Sequence, residues 1–515
     1  MKLKQIGNYF LLIPIILEKR RRMYDYIIIG SGYGGLSSAA LLANSGLKVL
    51  LLESHSLIGG CASYYKRGDF LFDVGATTLS GVAENRPMGH LFKTLDIKPK
   101  LKKMDVGLVV KMDGKELYRY AEKDKWIETS ADFFGNKSEN KVWDKIYKTE
   151  EMAWEFVMNN YGLPPSSLID IASLIKASNL KYAGLVPAAF NSLDSYLPKL
   201  LLRKENYYRF LSEQLLITSQ NSIKDTPYLT AAMGLAYPSE TYYPYGGMKS
   251  IADLINKKFI QCGGEIKFKN RVNKIEIEKE GYKISTVNGN VYHTKGVISN
   301  IPIWNLGIMM DGREGEYFKK KAKFFDSAWG AFTINFAIES NLAMPSAYYQ
   351  VHTRTKIPYS HGNSMFVTFS EPDDFERAPK GWKTVSISLH TDVSDWELED
   401  YEDYDRRKEF VTKKLLEEFD NQFPEFSDSA KVYVLSGTPN TFEFYTKRYR
   451  GYVGGIPHSL KKSLINIPPN KTPFKNFYIV GDTVFPGQGI PAVVLGALNI
   501  HKKINDSSIY GTKFE

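Results

Sequence analysis

The sequence has few cysteines, little net charge and no long apolar run, and each of these absences excludes a class of protein. Two cysteines, Cys61 and Cys262, cannot cross-link a chain of 515 residues, which favours a reduced, cytosolic setting. Together with the scattered histidines they lack the ligand spacing of a structural zinc site, so we expect no metal. The 67 basic and 57 acidic residues leave a net charge of +10, which does not indicate nucleic-acid binding but suits an anionic membrane surface.

The remaining composition is that of a large folded protein. Hydrophobic residues make up 43% of the chain, which excludes a disordered or collagen-like polymer. A length of 515 residues predicts roughly two to four domains. The chain has 33 Tyr, 29 Phe and 7 Trp residues. This number is consistent with a site for a large apolar ligand, and an ordinary aromatic core would give the same number.

The N-terminal segment is the part of the chain that most resembles a targeting element. The longest early apolar run, Tyr9 to Leu17, is shorter than the roughly 18 residues of a membrane span, and a basic block ending at Arg22 follows it. Residues 1–23 have three interpretations: a short membrane-surface anchor, a weak signal without a cleavage site, or an extension before a start at Met23. Under the anchor interpretation, deletion of residues 1–22 lowers recovery in the membrane fraction.

Residues 24–53 predict a strand over 24–29, a glycine turn, a helix from Leu36 to Ser45 and a second strand over 49–52 that is followed by an acid. In the turn, Gly30 permits the tight bend, Gly32 lets the backbone approach a pyrophosphate, and Gly35 lets the helix pack on the strand. The helix N-terminus then faces the phosphates. Glu53 follows Gly35 by eighteen residues, where its carboxylate can accept hydrogen bonds from a ribose. An acid at this position disfavours NADP, so the unit predicts bound NAD or FAD.

A second strand-loop-helix unit lies near the C-terminus. The apolar strand 477–480 leads into Gly481 and Asp482, and a glycine-rich loop ends at Gly489 before a helix that begins at Ile490. For a flavin, Asp482 can bind the ribitol hydroxyls, and the helix N-terminus can stabilise negative charge on the reduced ring. An NAD enzyme does not need this element, so the two ends of the chain together favour FAD as the cofactor.

Further segments complete a pattern that resembles a known family. Gly59 and Gly60 follow the first unit, residues 244–275 predict a helix and two strands, and residues 296–300 predict a strand that returns to the first unit. In this order the chain resembles the phytoene desaturase-like flavoproteins. Phytoene desaturases and amine oxidases usually have Arg after the glycine pair, whereas this chain has Cys61. The resemblance is therefore to the branch of carotenoid 3,4-desaturases, carotene isomerases and retinol saturases.

This resemblance implies an α/β fold. It consists of a Rossmann-like FAD-binding domain of the glutathione-reductase/amine-oxidase type and a discontinuous α+β substrate domain. It also places Gly59 and Gly60 against the cofactor and Val272 at its adenine side. The predicted division is an N-terminal extension, an FAD-binding domain in three segments and a substrate domain in two: 1–23; 24–100, 241–310 and 436–505; 101–240 and 311–435.

The resemblance also implies an activity. The expected protein is an FAD-dependent oxidoreductase that desaturates or isomerises a carotenoid or related polyene by hydride exchange with flavin N5, in carotenoid biosynthesis. It would be cytoplasmic and peripheral on a membrane. No second glycine motif indicates a nicotinamide site, so oxygen or a quinone is the expected electron acceptor. Two alternatives stay open: an amine oxidase-like enzyme for a small soluble substrate, and a flavin-binding carrier without activity.

The sequence identifies no catalytic residue. This is expected because the flavin carries the difficult chemistry while the protein orients the substrate and excludes water. Tyr445, Arg448 and Tyr449 lie in a stretch that resembles the family's substrate-side segment, but no role follows from that position. The apolar stretch from Leu185 to Phe190 is consistent with a polyene tunnel, a membrane contact or an ordinary core helix.

Overall fold

The computed structural model describes residues 23–135, 139–166, 168–197, 204–325, 328–353, 355–462 and 466–511, so the N-terminal segment 1–22 and its three interpretations lie outside it. The strands are β1 Met23–Ile29, β2 Val49–Leu52, β3 Tyr64–Arg67, β4 Phe70–Asp73, β5 Leu101–Lys103, β6 Val106–Met112, β7 Lys115–Tyr120, β8 Tyr242–Pro244, β9 Glu265–Lys267, β10 Val272–Glu278, β11 Gly281–Thr286, β12 Val291–Ser299, β13 Gly330–Glu339, β14 Tyr348–His352, β15 Ser364–Phe369, β16 Trp382–Thr391, β17 Lys431–Gly437 and β18 Phe477–Ile479.

The helices follow the same chain order, and none of those described is long and apolar enough to cross a membrane. They are α1 Tyr33–Asn44, α2 Pro87–Leu95, α3 Lys123–Phe134, α4 Glu139–Asn159, α5 Leu168–Leu174, α6 Leu185–Phe190, α7 Leu193–Tyr196, α8 Glu205–Ser219, α9 Tyr228–Ala236, α10 Gly247–Gln261, α11 Ile303–Met309, α12 Gly312–Phe324, α13 Tyr401–Gln422, α14 Pro439–Thr446 and α15 Ile490–Gly511.

The first sheet contains the dinucleotide-binding pattern. Its strand order is β10-β11-β12-β1-β2-β9, and β18 pairs with the end of β12. The β12, β1, β2 and β9 strands and β18 run parallel, which brings their carboxyl ends to one edge. Both faces are covered, as the unbroken apolar runs of β1 and β2 require. Ile28 and Leu51 pack in a core with α1, α10 and α15, while Ile27 and Leu50 pack in a core on the α12 side.

The second sheet has the order β17-β13-β16-β15-β14-β6-β7, and its neighbours are antiparallel except for the parallel pair β14 and β6. Alternate residues of β13 point to opposite faces, as the pleat of a strand requires. Phe332, Ile334 and Phe336 are buried in a core with α13. Thr333 and Asn335 point to the other face, where a cavity separates this sheet from the first.

Helices α3, α4, α8 and α9 form a further layer, packed against β6 and β7 around a mainly aromatic core. Trp126, Trp143 and Phe210 lie there, with the Arg119 guanidinium 4.1 Å from the Trp126 ring centre. Residues of α4, α8 and α9 line part of the cavity. The sheets and helices are those of the predicted α/β fold, while the residue boundaries of the two predicted domains stay a prediction.

Candidate functional site

A large cavity lies between the two sheets, at the carboxyl edge of the first. Its volume of about 1490 Å³ exceeds the roughly 300–1,000 Å³ of a pocket for one drug-sized ligand, so it has room for two. Nine of the predicted cofactor-binding residues line one part of it: Gly30, Gly32, Glu53, Gly59, Gly60, Gly481, Asp482, Gly489 and Ile490. The structure therefore brings together residues from both ends of the chain.

The first glycine turn forms the cradle that a pyrophosphate needs. Gly30 has a φ of +91°, and its N–H donates to the Leu52 carbonyl at 2.8 Å. A Cβ on Gly32 would lie 2.6 Å from Asn300 Nδ2, and one on Gly35 would lie 2.1 Å from the Gly30 carbonyl oxygen. Gly32 precedes α1, and within the described chain no side chain caps the N–H groups of its first turn. These groups are thus available to an anionic group in the cavity.

Glu53 is held firmly at the end of β2. Its Oε2 accepts hydrogen bonds from the Ser31 backbone N–H at 2.7 Å and from Ser31 Oγ at 2.6 Å. Its Oε1 accepts from the His55 N–H at 2.7 Å. The carboxylate thus braces the glycine turn while it also lines the cavity, and a ribose would have to share these two oxygens.

Two predicted site residues do not lie on the cavity wall. Gly35 is on the inner side of α1, where its lack of a side chain allows the close helix–turn packing that the sequence predicts. Val272 begins β10 and is buried in the core that also contains Ile29 and Leu52. The segment just before Val272 contacts the site, because the Asn270 N–H donates to the Glu53 carbonyl at 2.8 Å. Its role at the adenine side stays a prediction.

The second glycine pair closes against the first turn. The Gly59 N–H donates to the Ser31 carbonyl at 3.0 Å. Gly60 has a φ of +62°, and a Cβ there would lie 3.1 Å from the Gly32 Cα. A larger residue at position 60 would therefore press on the first turn, whereas a Cβ on Gly59, whose φ is +107°, would meet the Ala62 carbonyl oxygen of its own loop at 3.0 Å. The short helical turn that follows places Cys61 on the cavity wall.

Asp482 and Arg448 form an ion pair in the wall beside Cys61. Arg448 Nη2 donates to the two Asp482 carboxylate oxygens at 3.0 and 2.8 Å, and the side chains are only 12% and 18% exposed. Arg448 Nε also donates to the Tyr452 carbonyl at 2.5 Å. Burial raises the pKa of the Cys61 thiol, and the positive charge of Arg448 opposes that rise. The Arg448 guanidinium thus lies close enough to Cys61 to affect the charge state of its thiol.

The C-terminal helix directs its N-terminus into the same cavity. The helix α15 begins at Ile490, as predicted, and Gly489, Ile490 and Pro491 line the cavity. Gly489 has a φ of +94°, and an added Cβ would meet no atom of the described chain within 4 Å. This side of the loop is open to a ligand, and the partial positive charge of the helix lies next to it.

The other part of the cavity is mainly apolar. Leu185, Val186 and Phe190 of α6 line it, together with Leu216 of α8 and Met233 of α9. Val186 and Phe190 are also exposed to solvent at 60% and 53%, so α6 forms a rim of the cavity rather than part of a closed core. The stretch therefore lines a cavity, while its roles as a polyene tunnel and as a membrane contact stay predictions.

Comparisons with known proteins show the family of the chain and agree with its fold. The sequence model of the family described as flavin containing amine oxidoreductase matches residues 33–499. The chain is 26% identical to a chloroplastic prolycopene isomerase of Daucus carota, covering 95% of this chain and 81% of that protein. It is 23% identical to an all-trans-retinol 13,14-reductase of Danio rerio, covering 93% and 86%. In structure it is similar to an oxidoreductase from Methanosarcina mazei, with a TM-score of 0.60 at 17% identity over 93% of this chain and 99% of the other.

Proposed function

The chain belongs to the flavin-containing amine oxidoreductase family and is an FAD-dependent oxidoreductase, and on this basis we propose that its substrate is a long apolar polyene of the carotenoid or polyisoprenoid class. The observation that carries the proposal is the second, apolar part of the cavity, continuous with the glycine-lined part and open at α6. The similarity to a prolycopene isomerase and to a retinol reductase supports a polyene rather than an amine.

The residues of the chain have separate tasks in this proposal. The turns at Gly30–Gly35 and Gly59–Gly60 hold the pyrophosphate, while Glu53 and Asp482 bind the two sugar-like parts of the cofactor. Bound FAD supplies the redox chemistry, since it can accept a hydride from a substrate and return one. The apolar walls exclude water and orient the polyene. The proposed reaction is desaturation or cis–trans isomerisation, and net oxidation would require oxygen or a quinone as acceptor.

Expression in a bacterial host that makes lycopene and related carotenes tests this function. We expect a new pigment in the extract, resolved by chromatography with absorption spectra and mass. A longer chromophore identifies a desaturase, a changed retention time at unchanged mass an isomerase, and a shorter chromophore a reductase. Cells that express the Gly35→Ala variant, whose flavin turn is blocked, provide the control. An unchanged pigment profile with FAD-loaded protein, together with oxidation of soluble amines, would contradict the proposal.

We also propose that the protein works as a peripheral protein on the cytoplasmic face of a membrane, with the surface around α5 and α6 in contact with lipid. Several large apolar side chains are exposed there, including Leu168 at 84%, Ile175 at 81% and Leu180 at 75%. This surface continues into the rim of the cavity at Val186 and Phe190. A polyene dissolved in the bilayer could then enter without crossing water. The exposed Lys176 beside Ile175 suits anionic lipid.

The double variant Ile175→Ser/Leu180→Ser is expected to bind lipid vesicles at least about 10-fold more weakly, because each buried side chain contributes roughly 1.5–3 kcal/mol. Flotation with vesicles containing anionic lipid measures the partition. The matched control is Ile308→Ser, an isoleucine of α11 that is 70% exposed and does not line the cavity. Equal flotation of the double variant and the wild type would show that this surface does not contact lipid.

A further inference from the structure

The helix α4 brings one tryptophan to the wall of the cavity. All seven tryptophans lie in the described part of the chain, and only Trp154 lines the cavity. Its neighbours Ala153 and Val157 on the same helix line the cavity as well. The helix packs against α9, whose Met233 belongs to the apolar part. A large flat ring therefore borders the space that we assign to the polyene.

A carboxylate one helical turn earlier contacts this tryptophan. Glu150 precedes Trp154 by four residues, so the two side chains lie on the same face of α4. The Trp154 side chain forms a hydrogen bond with the Glu150 carboxylate, and Glu150 itself does not line the cavity. Since the ring N–H is the only polar group of an indole, this bond restricts the rotation of the ring.

Arg86 contacts both of these residues. Its Nη2 donates to the two Glu150 carboxylate oxygens at 3.1 and 3.2 Å. Its guanidinium carbon lies 5.6 Å from the centre of the Trp154 ring, which is within the range of a cation–π contact. The Arg86 and Glu150 side chains are only 12% and 15% exposed, so solvent screens this pair less than a surface pair. The indole is thus held by a hydrogen bond and by a cation.

The segment that carries Arg86 also packs on the C-terminal helix. A Cβ on Gly81 would lie 2.9 Å from the Pro491 Cβ, in the first turn of α15. Arg86 follows Gly81 by five residues and immediately precedes α2. Glu240, in the turn before β8, holds the same segment, with its Oε2 3.7 Å from Arg86 Nε. The position of the indole is therefore set relative to the helix whose N-terminus faces the cofactor part of the cavity.

We propose that the conjugated chain of the substrate packs on Trp154, and that Arg86 and Glu150 are positioning residues that hold the indole for this contact. A flat aromatic ring suits a flat conjugated chain, and a contact between two π systems contributes more than the area it buries. Because the indole is already held by its neighbours, binding does not have to order this side chain. The inference rests on the proposed function, because it names a contact that would place the polyene relative to the flavin.

The hold on the indole should depend on pH. Burial raises the pKa of Glu150 to about 7, Arg86 and the hydrogen bond from the indole oppose this rise, and Glu240 and Glu151 add to it. Tyr147 also faces the carboxylate, and it stays uncharged because burial raises its pKa. Above pH 7 the carboxylate is ionised and attracts Arg86. Below pH 7 it takes up a proton and the attraction is lost, so the affinity for a polyene should fall.

Energy transfer from tryptophan to phytofluene tests the contact. Phytofluene is a conjugated carotene whose absorption overlaps tryptophan emission, and it is titrated into the FAD-loaded full chain in detergent micelles. Trp154→Phe should remove the largest share of the transfer, which falls steeply with distance, and should keep the affinity within about twofold. Trp154→Leu should lower the affinity about 5- to 10-fold. The matched control is Trp382→Phe, a partly buried tryptophan that does not line the cavity, and it should keep the affinity and most of the transfer.

Arg86→Met and Glu150→Gln test the positioning. Each should lower the phytofluene affinity about 2- to 10-fold, the range for ordering one side chain on binding. The wild type should lose affinity from about pH 8 to about pH 6, one unit on either side of the Glu150 pKa, whereas Glu150→Gln should bind equally at both. The matched control is Lys93→Met, which breaks an exposed ion pair of α2 and should behave as the wild type. Flavin content and melting temperature confirm the fold of each variant.

The outcomes separate the inference from the proposed function. Unchanged transfer in Trp154→Phe together with unchanged affinity in Trp154→Leu overturns the inference and leaves the proposed function intact. Lower affinity in Trp154→Leu, with wild-type affinity and pH dependence in the positioning variants, retains the contact and overturns the roles of Arg86 and Glu150. Should Arg86→Met fail to fold, Glu150→Gln tests the pair by itself. Failure of the wild type to bind phytofluene contradicts the inference and the proposed function together.

Discussion

Replacement of Gly35 by alanine is expected to give a chain that folds but does not retain FAD. The added Cβ would lie 2.1 Å from the Gly30 carbonyl oxygen and 2.9 Å from the Asn300 Cβ. Neither atom can rotate away, because one is backbone and the other is the root of its side chain. The glycine turn must therefore open, which moves the N–H groups of α1 from the pyrophosphate site. Loss of two such charge-assisted bonds corresponds to an affinity at least about 100-fold lower.

Two measurements check this prediction. The ratio of flavin to protein after purification should fall towards zero, and titration of the apoprotein with FAD should give the weaker dissociation constant. Gly184→Ala is the matched control, because a Cβ at that position would meet no atom of the described chain within 4 Å. It should retain FAD fully. A Gly35→Ala protein that is purified with one FAD per chain would show that this close contact is not needed for the site.

The dinucleotide unit could be predicted from the sequence because its signals are local. The strand predicted over 24–29 is Met23–Ile29 in the structure, and the strand predicted over 49–52 is Val49–Leu52. The helix predicted from Leu36 begins three residues earlier, at Tyr33, because the last residues of the glycine turn are already helical. In such a unit the turn chemistry and the apolar runs act over a few residues, so no knowledge of distant contacts is required.

The substrate side could not be predicted in the same way. The alternation of Phe332, Thr333, Ile334 and Asn335 is a clear strand signal in the sequence, and it separates two faces. Which face meets α13 and which meets the cavity depends on the packing of elements far away in the chain. The sequence therefore predicts a substrate domain that includes residues 311–435, but not which face of β13 lines its cavity.

The ion pair of Arg448 and Asp482 shows the same limit, because Asp482 was predicted as a ribitol ligand without knowledge of its partner. The residues are 34 positions apart, and their contact forms only when the loop after α14 packs against the end of β18. In the structure the carboxylate has two tasks: it neutralises a buried guanidinium and it faces the cofactor part of the cavity. Loss of the first task should lower the free energy of unfolding, whereas loss of the second should lower the affinity for FAD.

Removal of either charge alone is expected to lower the free energy of unfolding of the apoprotein. Removal of both charges should lower it by much less than the sum of the two single losses. Arg448→Met and Asp482→Leu each leave a largely buried charge without its partner, which typically costs about 3–5 kcal/mol. The double variant leaves no such charge, so the coupling between the two substitutions should be large. Urea unfolding of the apoprotein, followed by tryptophan fluorescence, measures the three free-energy changes. Additive costs would show that the pair does not stabilise the fold.

Binding of FAD separates the second task of Asp482 from the first. If its carboxylate holds the ribitol, the double variant should recover stability but still bind FAD at least about 10-fold more weakly, because a hydrogen bond to a charged group contributes roughly 1.5–3 kcal/mol. Arg448→Met keeps the carboxylate and should lose less affinity than Asp482→Leu. Titration of each folded apoprotein with FAD gives these values. Full FAD affinity in the double variant would show that the Asp482 carboxylate only pairs with Arg448 and does not bind the cofactor.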